Sequence, residues 1–176
     1  KGGGSYTSDT YGHANAPLQA GSASGGNNAT GYRSGGLVRI EATGAVVLDG
    51  TISARGSNLN ATNSLPNSYI GGSSGGGIFI RCATFSGAST GVLRANGGNS
   101  GKNINSGGGG GRIAVWHRPV SDQDAALILA GQETELGSRL DITPTHPEFD
   151  GVAIADGGYG GTQGVKSGGD GTVVFL

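Results

Sequence analysis

Side chains that can do chemistry are concentrated between residues 116 and 148. This stretch begins with Trp116, His117 and Arg118 and continues with half of the twelve acidic residues. These are Asp122, Asp124, Glu133, Glu135, Asp141 and Glu148. Carboxylates two residues apart offer the oxygen ligands that calcium prefers, although an acidic, solvated loop has the same spacing. We expect any site chemistry to lie here and expect no cofactor, with Ca²⁺ as the alternative that remains open.

Enzymatic activity is not expected from this chain. Hydrolysis of a glycosidic bond needs two carboxyl groups on opposite sides of that bond, and residues 34–117 supply only Glu41 and Asp49. Asp9 and His13 are too few for a metal site, which needs three or four ligands. Cys82 is the only cysteine. It is expected to be a small buried hydrophobe, with a reactive thiol as the alternative.

Two stretches of the chain match each other at an offset of 40 residues. Residues 34–42 (SGGLVRIEA) lie over residues 74–82 (SGGGIFIRC), so that Val38, Ile40 and Ala42 fall on the apolar positions 78, 80 and 82. A second match, of residues 50–56 over residues 91–97, has an offset of 41 and requires one extra residue in the turn between. Apolar side chains at a period of two predict half-buried strands in each stretch.

Further strands are predicted at residues 111–116, 149–158 and 171–176, and the signature Ala-x-Gly occurs at residues 54–56, 95–97 and 155–157. Repeats of about 40 residues made of strands indicate a solenoid or a propeller. Two strands per repeat are too few for a propeller blade. The predicted fold class is therefore all-β: a glycine-rich parallel β-solenoid with ordered glycine-rich loops and one irregular or helical insertion. A right-handed β-helix is expected, because parallel crossovers are right-handed.

The chain is predicted to form a single domain over residues 1–176. Its parts are an N-terminal cap or loop region (1–33), regular rungs (34–117), an insertion (118–148) and final strands (149–176). Within the insertion, Ser121 is expected to cap a helix over residues 122–129 and Gly131 to end it. Tyr6, Tyr11 and Tyr32 are expected to cover the open end of the coil, with a ligand platform as the alternative.

Composition narrows the setting of the protein. Eleven basic and twelve acidic residues give a net charge of −1, which argues against general nucleic-acid binding. No apolar run reaches the ~20 residues of a membrane-spanning helix, so no membrane insertion is expected. The first residues do not resemble a signal peptide, and a mature or excised terminus is expected. A chain rich in Ser, Thr, Asn and Gly suggests an extracellular or cell-surface protein. The 39 glycines are expected to be ordered, with backbone packed on backbone and φ above zero.

Residues on the outer face of the predicted strands are the candidates for contacts between rungs and for ligand binding. At the offset of 40, Arg39 lies beside Phe79 and Glu41 beside Arg81, which predicts a cross-rung ion pair for the latter two. Phe79 and Trp116 are the outward aromatic residues and the candidates for binding surface glycans. Asn28 and Asn60 begin the two Asn-x-Thr sequons and are glycosylation candidates.

Several segments carry a resemblance to a known kind of protein. They are residues 73–80 (SSGGGIFI), 93–98 (LRANGG), 107–115 (GGGGGRIAV) and 171–176 (GTVVFL). They resemble glycine-rich repeat segments of large secreted and cell-surface proteins of the adhesin or autotransporter-passenger kind, which belong with the parallel β-helices of the pectin-lyase-like superfamily. The resemblance covers residues 34–117 and 149–176 and leaves the insertion unmatched. It implies an extracellular structural or adhesive module and transfers no functional residues.

The function predicted from sequence is therefore structural. We expect an extracellular module, a subunit of a surface fibre, filament or adhesin, that self-assembles head-to-tail through stacked rungs. An uncapped solenoid end exposes a strand edge, so the expected interface is the last strand, with Val173, Val174, Phe175 and Leu176. A carbohydrate-binding surface module and an enzyme resembling polysaccharide lyases or hydrolases are the alternatives.

Overall fold

The computed structural model describes residues 12–24, 32–59, 71–100, 106–132, 134, 136, 142–161 and 167–176. These residues form nine strands and one helix. The elements are β1 (Leu37–Glu41), β2 (Ala45–Val47), β3 (Thr51–Ser53), β4 (Gly77–Arg81), β5 (Thr84–Ser86), β6 (Val92–Arg94), β7 (Arg112–Trp116), α1 (Asp122–Leu129), β8 (Val152–Ile154) and β9 (Thr172–Phe175).

The strands form three parallel sheets. Sheet A has the order β1-β4-β7-β9, sheet B contains β2 and β5, and sheet C has the order β3-β6-β8. The chain passes through sheets A, B and C in turn and then returns to sheet A. Repeat 1 therefore comprises β1–β3, repeat 2 comprises β4–β6, repeat 3 comprises β7 and β8, and repeat 4 contains β9. The protein is thus β-rich, with strands in parallel sheets and one short helix.

The strand registers predicted from sequence are confirmed. In sheet A, Leu37 pairs with Gly77 at the offset of 40, and in sheet C, Thr51 pairs with Val92 at the offset of 41. The prediction of two strands per repeat was incomplete, because β2 and β5 also pair, with Ala45 opposite Thr84. Phe85, which lies in the stretch predicted to be a turn between the two matched segments, belongs to β5, and its side chain is fully buried.

The core lies between the three sheets and runs through all the repeats. Sheet A contributes the alternate residues that the sequence predicted to face inward, including Ile78, Ile80 and Cys82. Sheet B contributes Phe85, and sheet C contributes Leu93. Apolar side chains at every second position are buried in this way because successive residues of a strand point to opposite faces.

Helix α1 covers the outer face of sheet A. Its buried residues Ala125 and Ile128 pack in a second apolar cluster with Phe79, Ala114 and Trp116 of that sheet. The helix begins and ends as predicted. The Ser121 side chain caps it by accepting a hydrogen bond from the Asp124 N–H at 3.1 Å, and Gly131 follows it with a φ of 72°.

In repeat 3 the insertion stands where a strand of sheet B would be expected. The only continuation of sheet B in the described residues is an isolated parallel bridge between Gly87 and Phe149. The Phe149 ring packs against Phe85 with ring centroids 5.1 Å apart. One aromatic side chain at the end of the insertion thus replaces a strand in filling the core.

Candidate functional site: the repeat ends and the glycine layers

The end of the stack formed by β1, β2 and β3 exposes its apolar interior. Val38, Ile40, Val46 and Ile52 pack against the core but are only partly buried. Their partners in repeat 2 are fully buried, with exposed fractions of 0 %. Among the described residues no further layer of strands covers this end.

One edge of β1, the edge opposite β4, also has no strand partner among the described residues. Ala42 donates its N–H to Arg81 O at 2.9 Å, so residues 38, 40 and 42 direct their backbone groups toward β4. By alternation, Leu37, Arg39 and Glu41 direct theirs away from it, and no strand of the described residues pairs with that edge. Free strand edges of this kind are sites at which another strand can add.

The N-terminal residues do not close this end within the described part of the chain. Ala16 belongs to the apolar cluster on the outer face of sheet A, and Asn15 accepts a hydrogen bond from Trp116 Nε1 at 2.7 Å. Of the three tyrosines expected to cover the end, Tyr6 and Tyr11 lie outside the described residues. Tyr32 is half-buried.

The opposite end, at β9, is partly closed by the insertion. Thr143 forms an antiparallel bridge with Phe175: Phe175 N–H donates to Thr143 O at 2.8 Å, and Thr143 N–H donates to Phe175 O at 3.1 Å. The side chains of Phe175 and Leu176 are buried, with exposed fractions of 1 % and 3 %. Of the four residues expected to form a self-association interface, only Val173 and Val174 remain partly exposed. The sequence missed Thr143, because nothing in its spacing marks it as a strand partner.

Glycine-rich segments form hydrogen-bonded layers beside the sheets. We name the segments that follow the sheet C strands outgoing (54–59, 95–100 and 155–161) and those that precede the sheet A strands incoming (32–36, 71–76, 106–111 and 167–171). Outgoing segments bond to one another, as in the hydrogen bond from Gly97 N–H to Asp156 O at 2.9 Å. Outgoing and incoming segments bond in alternation, from Gly108 N–H to Gly98 O at 2.9 Å and from Gly158 N–H to Gly108 O at 2.7 Å.

These layers explain the Ala-x-Gly signature. The side chains of Ala54, Ala95 and Ala155 are buried in the core, while their carbonyls accept hydrogen bonds from glycine N–H groups of incoming segments at 2.7–2.8 Å. Two residues after each alanine, the glycine lies against the backbone of an incoming segment. A Cβ at Gly97 would be 2.1 Å from Gly108 O, and one at Gly157 would be 2.0 Å from Gly168 O. Close approach of two backbones, rather than chain reversal, therefore requires glycine here.

The expected positive φ angles are rare. Among the described residues only Gly12, Gly131 and Gly161 have them, and none of these belongs to an Ala-x-Gly signature. The prediction that the glycine-rich loops depend on positive φ was therefore wrong for most positions. Glycine is needed in the layers because a Cβ has no space there.

Asparagines in the outgoing segments form a ladder along the stack. The Asn58 side-chain oxygen accepts a hydrogen bond from Asn99 N–H at 2.8 Å, and the Asn99 side-chain oxygen accepts one from Tyr159 N–H at 2.9 Å. These two side chains therefore join neighbouring repeats.

Phe79 and Trp116, the glycan-binding candidates, are both buried. Their exposed fractions are 3 % and 1 %, and their rings pack edge to face at 5.0 Å beneath α1. The sequence assigned both correctly to the outer face of sheet A, but the insertion covers that face. Neither ring is accessible to a glycan.

The predicted ion pair between Glu41 and Arg81 is replaced by other contacts. Glu41 accepts from Arg39 on its own strand at 2.5 Å. Arg81 lies over the Trp116 ring at 5.7 Å, donates to Val120 O at 3.3 Å and lies 3.9 Å from the carboxylate of Asp122 in α1. Contacts with β7 and with the start of the insertion therefore take the place of the contact with Glu41.

The insertion and the end of β7 form a small histidine cleft of about 280 Å³. The His117 and His146 rings stack at 3.8 Å, and His146 Nε2 lies 2.8 Å from Phe85 O. Burial lowers the pKa of His117, and His146 and Arg118 lower it further, while Glu148 raises it. The sequence placed any site chemistry at residues 116–118 and in the insertion, and the cleft joins these two parts. The stacked rings join the insertion to the end of β7.

The remaining chemical candidates are the acidic side chains and the Cys82 thiol. Among the described residues no group of three or more His, Cys, Asp and Glu side chains is arranged to hold a metal ion. Cys82 is buried, and burial raises the pKa of its thiol, while a hydrogen bond with the Val46 backbone lowers it. Asn28, Asn60, Asp9, Glu133, Glu135 and Asp141 lie outside the described residues.

Comparisons with known proteins give no relative. No family model, curated protein or solved structure matches this chain. In the part that the structure describes, no helix has the length and apolar character required to cross a bilayer. A functional proposal therefore depends on the geometry of the repeats.

Proposed function

We propose that the chain is a right-handed parallel β-solenoid that serves as a structural module of an extracellular fibre or adhesin, and that copies stack head-to-tail. The solenoid is supported by the order in which the chain visits sheets A, B and C and by the parallel registers between successive repeats. The extracellular setting follows from the composition and from the resemblance to adhesin-like repeats.

The observation that carries the stacking proposal is the half-exposed interior of repeat 1. Its inward residues have the same character as those that repeat 2 buries completely, so another layer of the same kind would complete the core. Burying a Val or Ile side chain contributes about 1.5–3 kcal/mol when it is fully exposed beforehand. Four half-exposed side chains and three free strand edges therefore provide a considerable driving force for addition.

Addition at the other end has to compete with Thr143. In a continuous stack, β9 of one copy would pair with β1 of the next, and Thr143 already occupies the hydrogen-bonding groups of Phe175. The next copy would have to displace that bridge. We infer that the insertion restrains fibre growth at the β9 end, while the β1 end is ready to accept a partner.

The decisive variant is Arg39→Pro, compared with Arg39→Ala. The Arg39 N–H points away from β4, so proline removes a donor from the free edge and leaves the β1–β4 hydrogen bonds in place. Both variants lose the contact with Glu41, which makes them a matched pair. Sedimentation velocity over a concentration series would follow assembly, and negative-stain electron microscopy would detect filaments with an axial spacing of about 4.8 Å per layer.

We expect the unmodified chain and Arg39→Ala to assemble with rising concentration and Arg39→Pro to remain monomeric. Thr143→Pro should lower the concentration needed for assembly several-fold relative to Thr143→Ala, because only proline removes the N–H that bonds to Phe175. A chain that stays monomeric at every concentration would overturn the stacking proposal. Equal assembly of the two Arg39 variants would show that the β1 edge is not the contact.

A further inference from the structure

Residues 21–24 pack against the incoming glycine segments through backbone hydrogen bonds. Gly21 N–H donates to Gly35 O at 2.9 Å, and Ser74 N–H donates to Ser22 O at 3.0 Å. Ser22 and Ser74 are joined further through the Ser74 hydroxyl, which accepts from Ser22 N–H and donates to Ser22 O. One strand of Gly and Ser residues thus lies between the incoming segments of repeats 1 and 2, held by one carbonyl and one N–H from them.

A pair of backbone groups equivalent to Gly35 O and Ser74 N–H recurs twice further along the stack. Sheet A places Gly109 in repeat 3 and Gly169 in repeat 4 at the position of Ser74. The carbonyls equivalent to that of Gly35 belong to Gly75 and Gly110. Two further sites therefore consist of Gly75 O with Gly109 N–H and of Gly110 O with Gly169 N–H.

These four groups have no backbone hydrogen-bond partner among the described residues. Gly109 is buried, and a buried backbone N–H without a partner is rare in folded proteins. All four glycines line one groove of about 560 Å³, which is bounded on one side by residues 12–21 and on the other by residues 169–172. The groove thus continues the line along which residues 21–24 already lie.

The shape and charge of the groove define what fits. A Cβ at Gly21 would be 2.3 Å from Gly75 O, so a strand that lies this close needs glycine at the contact. Arg112 and Asp170 give the lining one charge of each sign, and the described lining contains no aromatic ring that would stack on a sugar. Pairing through main-chain groups is the mode by which extended peptides add to free backbone edges.

We propose that this groove binds an extended glycine- and serine-rich strand of a partner protein. The strand donates to Gly75 O and Gly110 O and accepts from Gly109 N–H and Gly169 N–H. This contact is separate from the stacking of copies, because it lies beside the incoming segments and does not use the backbone groups at the β1 and β9 edges.

The test uses the full ¹⁵N-labelled chain at a concentration where it is monomeric. The probe is the synthetic peptide Gln-Ala-Gly-Ser-Ala-Ser-Gly-Gly, which copies residues 19–26, and its control carries valine in place of the first glycine. We expect the probe to shift the Gly109 and Gly169 amide signals saturably and to slow their hydrogen exchange. The valine peptide should bind at least ten-fold more weakly, because its Cβ meets the groove floor.

Gly169→Pro and Gly169→Ala form the matched pair of protein variants. A Cβ at Gly169 has no heavy atom within 4 Å, and Gly169 O rather than its N–H bonds to Gly110 N–H, so both substitutions fit the fold. Gly169→Pro should weaken probe binding at least three-fold and retain the shift at Gly109, whereas Gly169→Ala should bind like the unmodified chain. Unshifted glycine amides, equal binding of the two peptides, or equal binding of the two variants would overturn the proposal. So would a gluco-oligosaccharide that shifts these amides when the peptide does not.

Discussion

Substitution of a layer glycine by alanine tests why the chain contains so much glycine. At Gly97 the added Cβ would be 2.1 Å from Gly108 O, and the obstacle is backbone. Ordinary contact would require the two segments to move apart by about 1 Å. That movement would strain the adjoining hydrogen bonds from Gly98 N–H to Ser73 O and from Gly108 N–H to Gly98 O.

The expected cost can be estimated from these two effects. Overpacking a well-filled site costs about 1–3 kcal/mol, and the loss of one intramolecular hydrogen bond costs about 1 kcal/mol more. Gly97→Ala should therefore lower the free energy of unfolding by about 2–4 kcal/mol. For a chain of this size, 1 kcal/mol corresponds to about 2–4 °C, so the melting temperature should fall by about 4–16 °C.

Gly36→Ala is the matched control, and it should have the opposite sign. A Cβ at Gly36 has no heavy atom within 4 Å, and its φ lies outside the left-handed region. Alanine there restricts the unfolded chain and should stabilise the protein by about 0.4–1 kcal/mol. Thermal and urea unfolding followed by circular dichroism would measure both variants. If Gly97→Ala and Gly36→Ala unfolded within about 0.5 kcal/mol of each other, the explanation by close backbone packing would be refuted.

Three further predictions concern single side chains. Trp116→Phe should keep the contact with Phe79 but lose the hydrogen bond to Asn15 O, lowering the free energy of unfolding in urea by about 1 kcal/mol; an unchanged midpoint would contradict this. The pKa of His117 is lowered in the folded state. At pH values below the ordinary histidine pKa of about 6.5, the unfolded chain therefore binds more protons than the folded chain. The free energy of unfolding should therefore be constant above that pH, fall as the pH drops toward the folded-state pKa of His117, and then level off. His117→Gln should flatten this dependence of stability on pH, and an unaltered dependence would exclude His117 as its cause. Cys82→Ala should lower the free energy of unfolding in urea by about 1 kcal/mol, because it removes the buried thiol and its hydrogen bond with the Val46 backbone, and an unchanged midpoint would contradict that expectation.

Much of the strand arrangement could be predicted from the sequence. Strands β1, β4 and β7 of sheet A each follow a glycine cluster and carry inward aliphatic residues at alternate positions over five residues, which is long enough to fix the register. The helix was equally predictable, because Ser121 and Gly131 mark its two ends. The three-residue strands β2 and β5 were not, because no Ala-x-Gly signature follows them, whereas one follows each of the equally short strands of sheet C.

The contacts made by the insertion could not be predicted. The sequence shows that Phe79 and Trp116 point outward, but the burial of an outward face depends on which distant segment packs there. The same holds for Thr143 and His146, whose partners Phe175, Phe85 and His117 come from other repeats. Arg81 was misassigned for the same reason, since α1 offers it contacts that Glu41 would otherwise provide.

The insertion makes the two ends of the stack unequal, and that inequality gives any assembly a direction. At the β1 end the interior is half-exposed and the strand edge is free. At the β9 end Thr143 occupies the groups of Phe175, while Phe149 and His146 pack their rings against its side chain. An incoming copy therefore gains burial at β1 without first breaking a contact, whereas at β9 it must displace the residues around Thr143. Because His146 also stacks on His117, protonation of His117 should loosen the same residues. Acidification should then favour growth of the proposed fibre, in the pH range where the stability of the single chain declines.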